Sequence, residues 1–169
     1  MFRRFSVVLA LVLVAASAGT ASAQAERGGF TLLFNMGVGI QQDSALEESA
    51  VGLAGLNLGV GGFLTPKVAV MGRFSGTNVS YGFLDQVSGT LGPSLQYWAS
   101  DQVAFEVGAG MGYWNSEGFD DRGLGLILGV DLTIFNKGKH NLQVGLEYSP
   151  VFTSDPVHNF GITFGYQFF

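Results

Sequence analysis

The chain has 169 residues, a formal net charge of −5, no cysteine, 26 glycines and only 12% charged residues. The acidic balance argues against nucleic acid, whose phosphates need a basic face, and the lack of cysteine excludes disulfide staples and thiolate metal sites. Charged residues make up about 25% of an ordinary soluble domain, so this chain is apolar, yet nowhere does it run to the ~18 consecutive apolar residues of a spanning helix.

Residues 1–23 have the form of a secretory signal peptide. Arg3 and Arg4 precede an apolar run from Val7 to Ala16, and Ala21-Ser22-Ala23 supplies the small-residue cleavage site. Residues 24–169 suit one domain.

That domain reads as eight segments of period-two alternation. The first carries Phe30, Leu32, Phe34, Met36, Val38 and Ile40 on one face, and the second Ala54, Leu56, Leu58, Val60 and Leu64. The third sets Val68, Val70 and Phe74 opposite Arg73, Ser75 and Thr77; the fourth sets Val87, Leu91, Leu95 and Tyr97 opposite Ser88, Thr90, Ser94 and Gln96. The fifth sets Val103, Phe105, Val107, Ala109, Met111 and Tyr113 against Glu106 and three glycines, and the sixth runs Leu124, Leu126, Leu128, Val130, Leu132, Ile134 against Asp131 and Thr133. The seventh sets Leu142, Val144, Leu146 and Tyr148 opposite Gln143, Gly145 and Glu147. The eighth is the closing stripe Phe160, Ile162, Phe164, Tyr166 and Phe168, with Phe169 one step beyond it. Each is long enough for a tilted membrane strand, which takes about 9–11 residues.

Short connections ("LTPKV", "ASDQV", "NKGKHN") alternate with longer, more acidic ones ("QQDSALEESA", "GTNVSYGFLDQ", "NSEGFDDR", "FTSDPVHN"). The short turns "FLTPKVAV" and "WASDQVAF" repeat an aromatic and a Val-Ala step, which places them at the same end. A soluble barrel would turn the apolar face in and a charged face out. Here the opposite face is glycine and small polar residues, so the apolar face is expected to meet lipid around a narrow, side-chain-filled interior. The fold class is therefore all-β: an eight-stranded antiparallel up-and-down transmembrane barrel preceded by a cleaved leader, closed because hydrocarbon tolerates no sheet edge.

The leader, the eight strands, "GPSLQYWASDQVAFEVGAGMGY", "HNLQVGLEYSP" and the closing "GITFGYQFF" together resemble the eight-stranded outer-membrane beta-barrel family, of the outer-membrane protein X and outer-membrane protein A membrane-domain type. The resemblance implies location in the bacterial cell outer membrane. It also implies insertion by the outer-membrane assembly machinery, with the last strand (Phe160, Ile162, Phe164, Tyr166, Phe168) as the assembly signal. Members include structural and adhesive proteins, small pores and a few lipid-modifying enzymes.

Four interior charges stand out: Arg73, Glu106, Asp131 and Glu147. Strand rise and tilt put them at similar mid-barrel height, where one guanidinium can fork to two carboxylates. The expected role is a structural network filling the lumen; the alternative is a gate in a narrow channel for ions or small solutes. Aromatic girdles are expected from Tyr81, Tyr113, Trp114 and Tyr148 at the loop ends and from Tyr97, Trp98, Phe135 and Phe168 at the turn ends.

No catalytic constellation is expected. His158, Asp155 and Ser154 crowd into one loop, and a lipid A-modifying enzyme ranks third among functions. "GAGMGYW" and "GVGG" lack the following helix of a phosphate loop. The acidic loops (Asp43, Glu47, Glu48, Glu117, Asp120, Asp121, Asp155) lack calcium-loop spacing. No cofactor or metal is expected. The expected partners are outer-membrane lipid, lipopolysaccharide and the assembly machinery, with the barrel monomeric and its role structural or interactive.

Overall fold

A computed structural model describes residues 27–44, 48–81, 84–116 and 119–169. The leader over 1–23 lies outside the described residues. Among the described residues nine strands follow one another: β1 (Gly29–Asp43), β2 (Glu48–Thr65), β3 (Val68–Tyr81), β4 (Leu84–Trp98), β5 (Val103–Ser116), β6 (Phe119–Lys137), β7 (His140–Tyr148), β8 (Val151–Phe152) and β9 (Val157–Phe168). Each long strand pairs antiparallel with the next, and β1 pairs with β9 from Leu32↔Phe168 to Asp43↔Val157, so the sheet closes into a barrel of eight wall strands. Closure satisfies every strand edge, as a hydrocarbon surround demands.

The short β8 continues the wall strand begun by β7. Pro150 has no N–H to give the ladder, but its carbonyl accepts from Leu126 N (3.0 Å), and Ser149 N donates to Asn159 O (2.9 Å). The wall therefore stays closed across the break between β6 and β9.

The apolar face points outward. On β1 every alternate residue from Phe30 to Ile40 is exposed while Thr31, Leu33 and Asn35 are buried. Ile162 and Phe164 on β9, and Leu124, Leu128 and Ile134 on β6, are likewise exposed.

Ala54 departs from the expected pattern. Met36 faces two residues of β2 where the register shifts, with Asn35 paired to Asn57 and Gly37 to Ala54. This bulge exchanges the faces of β2: Leu56, Leu58 and Val60 stay outward, but Ala54 turns in and is 2% exposed, and Val51 and Leu53 take its place outside. A Cβ added to Gly161 of β9 would come within 3.1 Å of the Ala54 methyl, so the interior has no room there. Ala54→Leu is expected to cost about 1–3 kcal/mol by overpacking, read as a lowered urea midpoint in lipid vesicles. Leu56→Ala, facing lipid, is expected to shift that midpoint far less.

The long acidic connections also turn out differently. Most of "GTNVSYGFLDQ" is strand, with β3 running to Tyr81 and β4 starting at Leu84, and the described residues of "NSEGFDDR" are all strand. The two ends of the barrel differ in how far the sheet projects beyond its apolar band. Among the projecting outward residues, Asn78, Ser80, Asp85, Asn115 and Asp120 are polar and exposed. We call this end the rim and the opposite one the turn end. Gly138, with φ +61°, makes the tight β6–β7 turn possible there.

Two glycines on the outward face carry a different device. Gly76 and Gly89 pair across β3 and β4, and the rings of Phe74 and Tyr113 stack above them with centroids 6.3 Å apart. A Cβ on Gly76 would meet the Phe74 ring at 3.2 Å, and one on Gly89 the Tyr113 hydroxyl at 2.7 Å. The missing side chains are what let aromatics from β3 and β5 meet across β4.

Candidate functional site

The interior is filled by side chains in three polar tiers above an aromatic plug. In the middle tier, alternation on β3, β5, β6 and β7 aims Arg73, Glu106, Asp131 and Glu147 inward; the first three are buried by their neighbours and Glu147 is nearly so. Arg73 Nε lies 3.0 Å from Glu106 Oε1 and Nη2 lies 3.1 Å from Glu147 Oε2. Glu147 also accepts from Asn57 Nδ2 (2.7 Å) and from the Ser75 hydroxyl. Asp131 makes no direct ion pair among the described residues. It bonds the Gln96 side chain and stands within electrostatic reach of the same guanidinium. Thus the structure brings together all four predicted charges, three of them in contact.

Toward the turn end comes a tier of amides. Gln167 Nε2 donates to Gln96 Oε1 (2.8 Å) and to Thr31 Oγ1 (3.1 Å), and Gln143 Nε2 reaches Asn35 Oδ1 (3.4 Å). Below them lies a plug that the sequence reading missed. Trp98 and Phe169, each 1% exposed, meet edge to face with centroids 5.5 Å apart, and Phe63 meets Phe169 at 5.6 Å. The Arg27 guanidinium sits 3.9 Å over the Trp98 ring and pairs with Asp101 at 3.4 Å. Trp98 is therefore no girdle residue: it alternates in step with Gln96, to which its indole N–H donates (3.1 Å). The repeat in "FLTPKVAV" and "WASDQVAF" carried this signal. Phe63 pairs directly with Ala69 and Trp98 with Ala104, a large ring opposite a small residue at both turns.

Toward the rim, Gln41 donates to Gln86 (2.7 Å), Ser88 donates to Gln41 and Asn159, and Gln86 donates to Asp43 (3.3 Å). Trp114 belongs with this tier: it alternates with outward Tyr113, and its indole N–H reaches Gln86 Oε1 (3.4 Å). Its placement in the lipid-facing girdle is corrected accordingly.

The other girdle residues whose side chains are described face outward. Tyr97 and Phe135 are exposed, and Tyr148 stacks on Phe160 at 4.6 Å. The side chain of Tyr81 lies outside the described residues. Phe160, Ile162, Phe164, Tyr166 and Phe168 form one outward stripe between β1 and β7. Both histidines on this seam bond phenols: His158 Nδ1 with Tyr148 at 2.8 Å and His140 Nδ1 with Tyr166 at 2.5 Å.

At the rim, Asp43 faces in while Asp120 and Asp155 are exposed; Glu47 and Glu117, and the side chain of Glu48, lie outside the described residues. Asp121 accepts from the backbone N–H of Ser154 (3.0 Å) and of Arg122 (2.8 Å), which together hold its carboxyl below the usual range. No group of three or more acidic or histidine side chains suited to a metal ion occurs among the described residues.

Three solved outer-membrane proteins share this fold. Neisserial surface protein A is 16% identical with a TM-score of 0.61, over 83% of this chain and 96% of that one. The attachment invasion locus protein Ail of Yersinia pestis is 16% identical with a TM-score of 0.54, over 83% of this chain and 99% of that one. OprG from Pseudomonas aeruginosa is 14% identical with a TM-score of 0.52, over 87% and 99%. No curated protein sequence matches the chain significantly. The sequence model of the outer membrane protein beta-barrel domain matches residues 7–168, and the chain accordingly belongs to that family of bacterial outer-membrane barrels.

Proposed function

We propose that the protein is a non-conducting, monomeric outer-membrane barrel with a structural and surface-contact role, exported by a leader cleaved after Ala23. The turn end, where Arg27 and Phe169 meet Trp98, faces the periplasm, and the projecting rim faces the exterior, as in other outer-membrane barrels. The assembly machinery inserts it, and its standing partners are outer-membrane lipid and lipopolysaccharide.

The observation that carries this reading is the burial of the interior. Arg73, Gln96, Gln143, Gln167, Trp98 and Phe169 are each 0–1% exposed, whereas side chains lining a water-filled pore would be accessible to water. Liposomes carrying the protein are expected to swell in small sugars and amino acids no faster than protein-free ones. Swelling above that baseline would move the assignment to the narrow channel.

A catalytic role is not favoured, because each histidine is engaged by a tyrosine hydroxyl and not by a serine. Mass spectra of lipid A from cells with and without the protein are expected to coincide. One structure of Ail holds the heparin analogue sucrose octasulfate; the acidic rim of the present chain does not suit a polysulfated ligand.

A further inference from the structure

The loop between β8 and β9, residues 153–156, crosses the rim with both of its sides pinned. Ser154 N donates to Asp121 Oδ2 of β6 (3.0 Å), and Ser44 N, just past β1, donates to Pro156 O (3.2 Å). Between the two pins lies an Asp–Pro peptide bond, from Asp155 to Pro156. Asp155 is exposed, and its carboxylate forms no ion pair among the described residues. Its main-chain carbonyl is engaged: the Thr153 hydroxyl donates to that oxygen at 2.7 Å.

An aspartate carboxylate can reach the carbon of its own main-chain carbonyl and close a cyclic anhydride. The reaction needs a polarised carbonyl and a leaving nitrogen that accepts a proton. The Thr153 hydroxyl meets the first need, as a donor placed where negative charge develops on the oxygen. Pro156 meets the second, because its nitrogen carries two alkyl carbons and no hydrogen and is more basic than other peptide nitrogens. The pins on either side keep bond and donor in one arrangement, so little ordering remains to be done at the moment of attack.

We propose that the bond from Asp155 to Pro156 is a self-cleavage site. A carboxylate oxygen of Asp155 attacks its own carbonyl carbon, and the C–N bond to Pro156 breaks. The proline nitrogen leaves as a secondary amine, taking a proton from water. A second water opens the anhydride, so the net change is hydrolysis of one peptide bond with Asp155 as the new C-terminus. Each chain reacts once, without turnover. The wall survives the cut, because β9 is held by β1 on one side and β7 on the other. What opens is the strap across the rim.

Attack needs an ionised carboxylate and departure needs a proton, so mild acid is faster than neutral pH. The charged and titratable groups on the flanking elements are Asp43 of β1, Asp120, Asp121 and Arg122 of β6, Tyr148 of β7 and His158 of β9. None of them forms an ion pair with Asp155.

Incubation of the folded full barrel in neutral detergent at mildly acidic pH, followed by mass spectrometry of the heat-denatured chain, tests the site. Fragments ending at Asp155 and beginning at Pro156 are expected, while unheated samples keep the gel mobility of the folded barrel. The folded chain should cut at least about tenfold faster than the same chain held unfolded in urea, since only the fold positions Thr153. Thr153→Val should slow the cut about tenfold and Thr153→Ser far less. Asp155→Asn and Pro156→Ala should each abolish it; Pro156→Ala keeps the attacking carboxylate and decides the matter if Asp155→Asn does not fold. Absence of the fragments, equal rates in urea, or an unchanged rate in Thr153→Val overturns the proposal. Cutting that persists in Asp155→Asn overturns it too, because a contaminating protease is then the agent.

Discussion

Arg73→Met is expected to lower the stability of the folded barrel by about 3–5 kcal/mol, the usual cost of removing one partner from a buried ion pair. The variant leaves Glu106 and Glu147 without their cation, and Asp131 beside them, in an interior where Glu106 and Asp131 are buried and the Glu147 side chain is only 9% exposed. Urea unfolding in lipid vesicles, followed by heat-modifiable gel mobility, measures the loss. Adding Glu147→Gln to Arg73→Met should recover part of it, because the carboxylate whose charge is stranded is then neutral, while Asn57 and Ser75 can still bond the amide. A destabilisation below about 1 kcal/mol would mean the network is not the structural element inferred here. Conductance provides a second readout. If Arg73 were the gate of a channel, its removal would open the lumen. The aromatic plug below it remains in place, so Arg73→Met is expected to stay at the baseline of protein-free bilayers, and a raised conductance would favour the channel.

The second large effect concerns the last two residues, which do different jobs. Phe169→Ala is expected to cost about 3 kcal/mol or more, the range for emptying a buried aromatic position. Its ring contacts Trp98 and Phe63, and Arg27 lies 5.7 Å from its centroid. Phe168→Ala removes a ring from the lipid face and should change equilibrium stability by less than about 1 kcal/mol. It should instead reduce the yield of folded barrel during assembly, since Phe168 closes the outward stripe. Gel mobility of freshly expressed protein reports the yield, and urea midpoints of the refolded variants report the stability. If Phe168→Ala proves the more unstable of the two in urea, the inward assignment of Phe169 is in error.

Most of the wall was legible because period-two alternation maps directly onto two faces, and the four interior charges fell at matching heights for the same reason. Ala54 escaped because one extra residue in β2 reverses the parity of all that precede it, and a bulge has no mark of its own in a glycine-rich run. The rim strands were read as loops because polar residues occupy both faces beyond the hydrocarbon, which erases the alternation while the backbone ladder continues. Trp98 and Trp114 were misplaced by residue type: tryptophan suggests an interface, but their parity with Gln96 and Gly112 placed both on the inner face. The plug needed partners from residues 27, 63, 98 and 169, a proximity that no local pattern encodes.

The plug has a kinetic consequence. Arg27 precedes β1 and Phe169 follows β9, so their common site on Trp98 exists only after the first and last strands have zipped together. Contacts made after the rate-limiting step of folding govern how fast the native state is lost and leave the rate of its formation almost untouched. The floor of the barrel thus acts as a late latch, and Phe169→Ala should shorten the lifetime of the inserted protein while its insertion half-time stays the same.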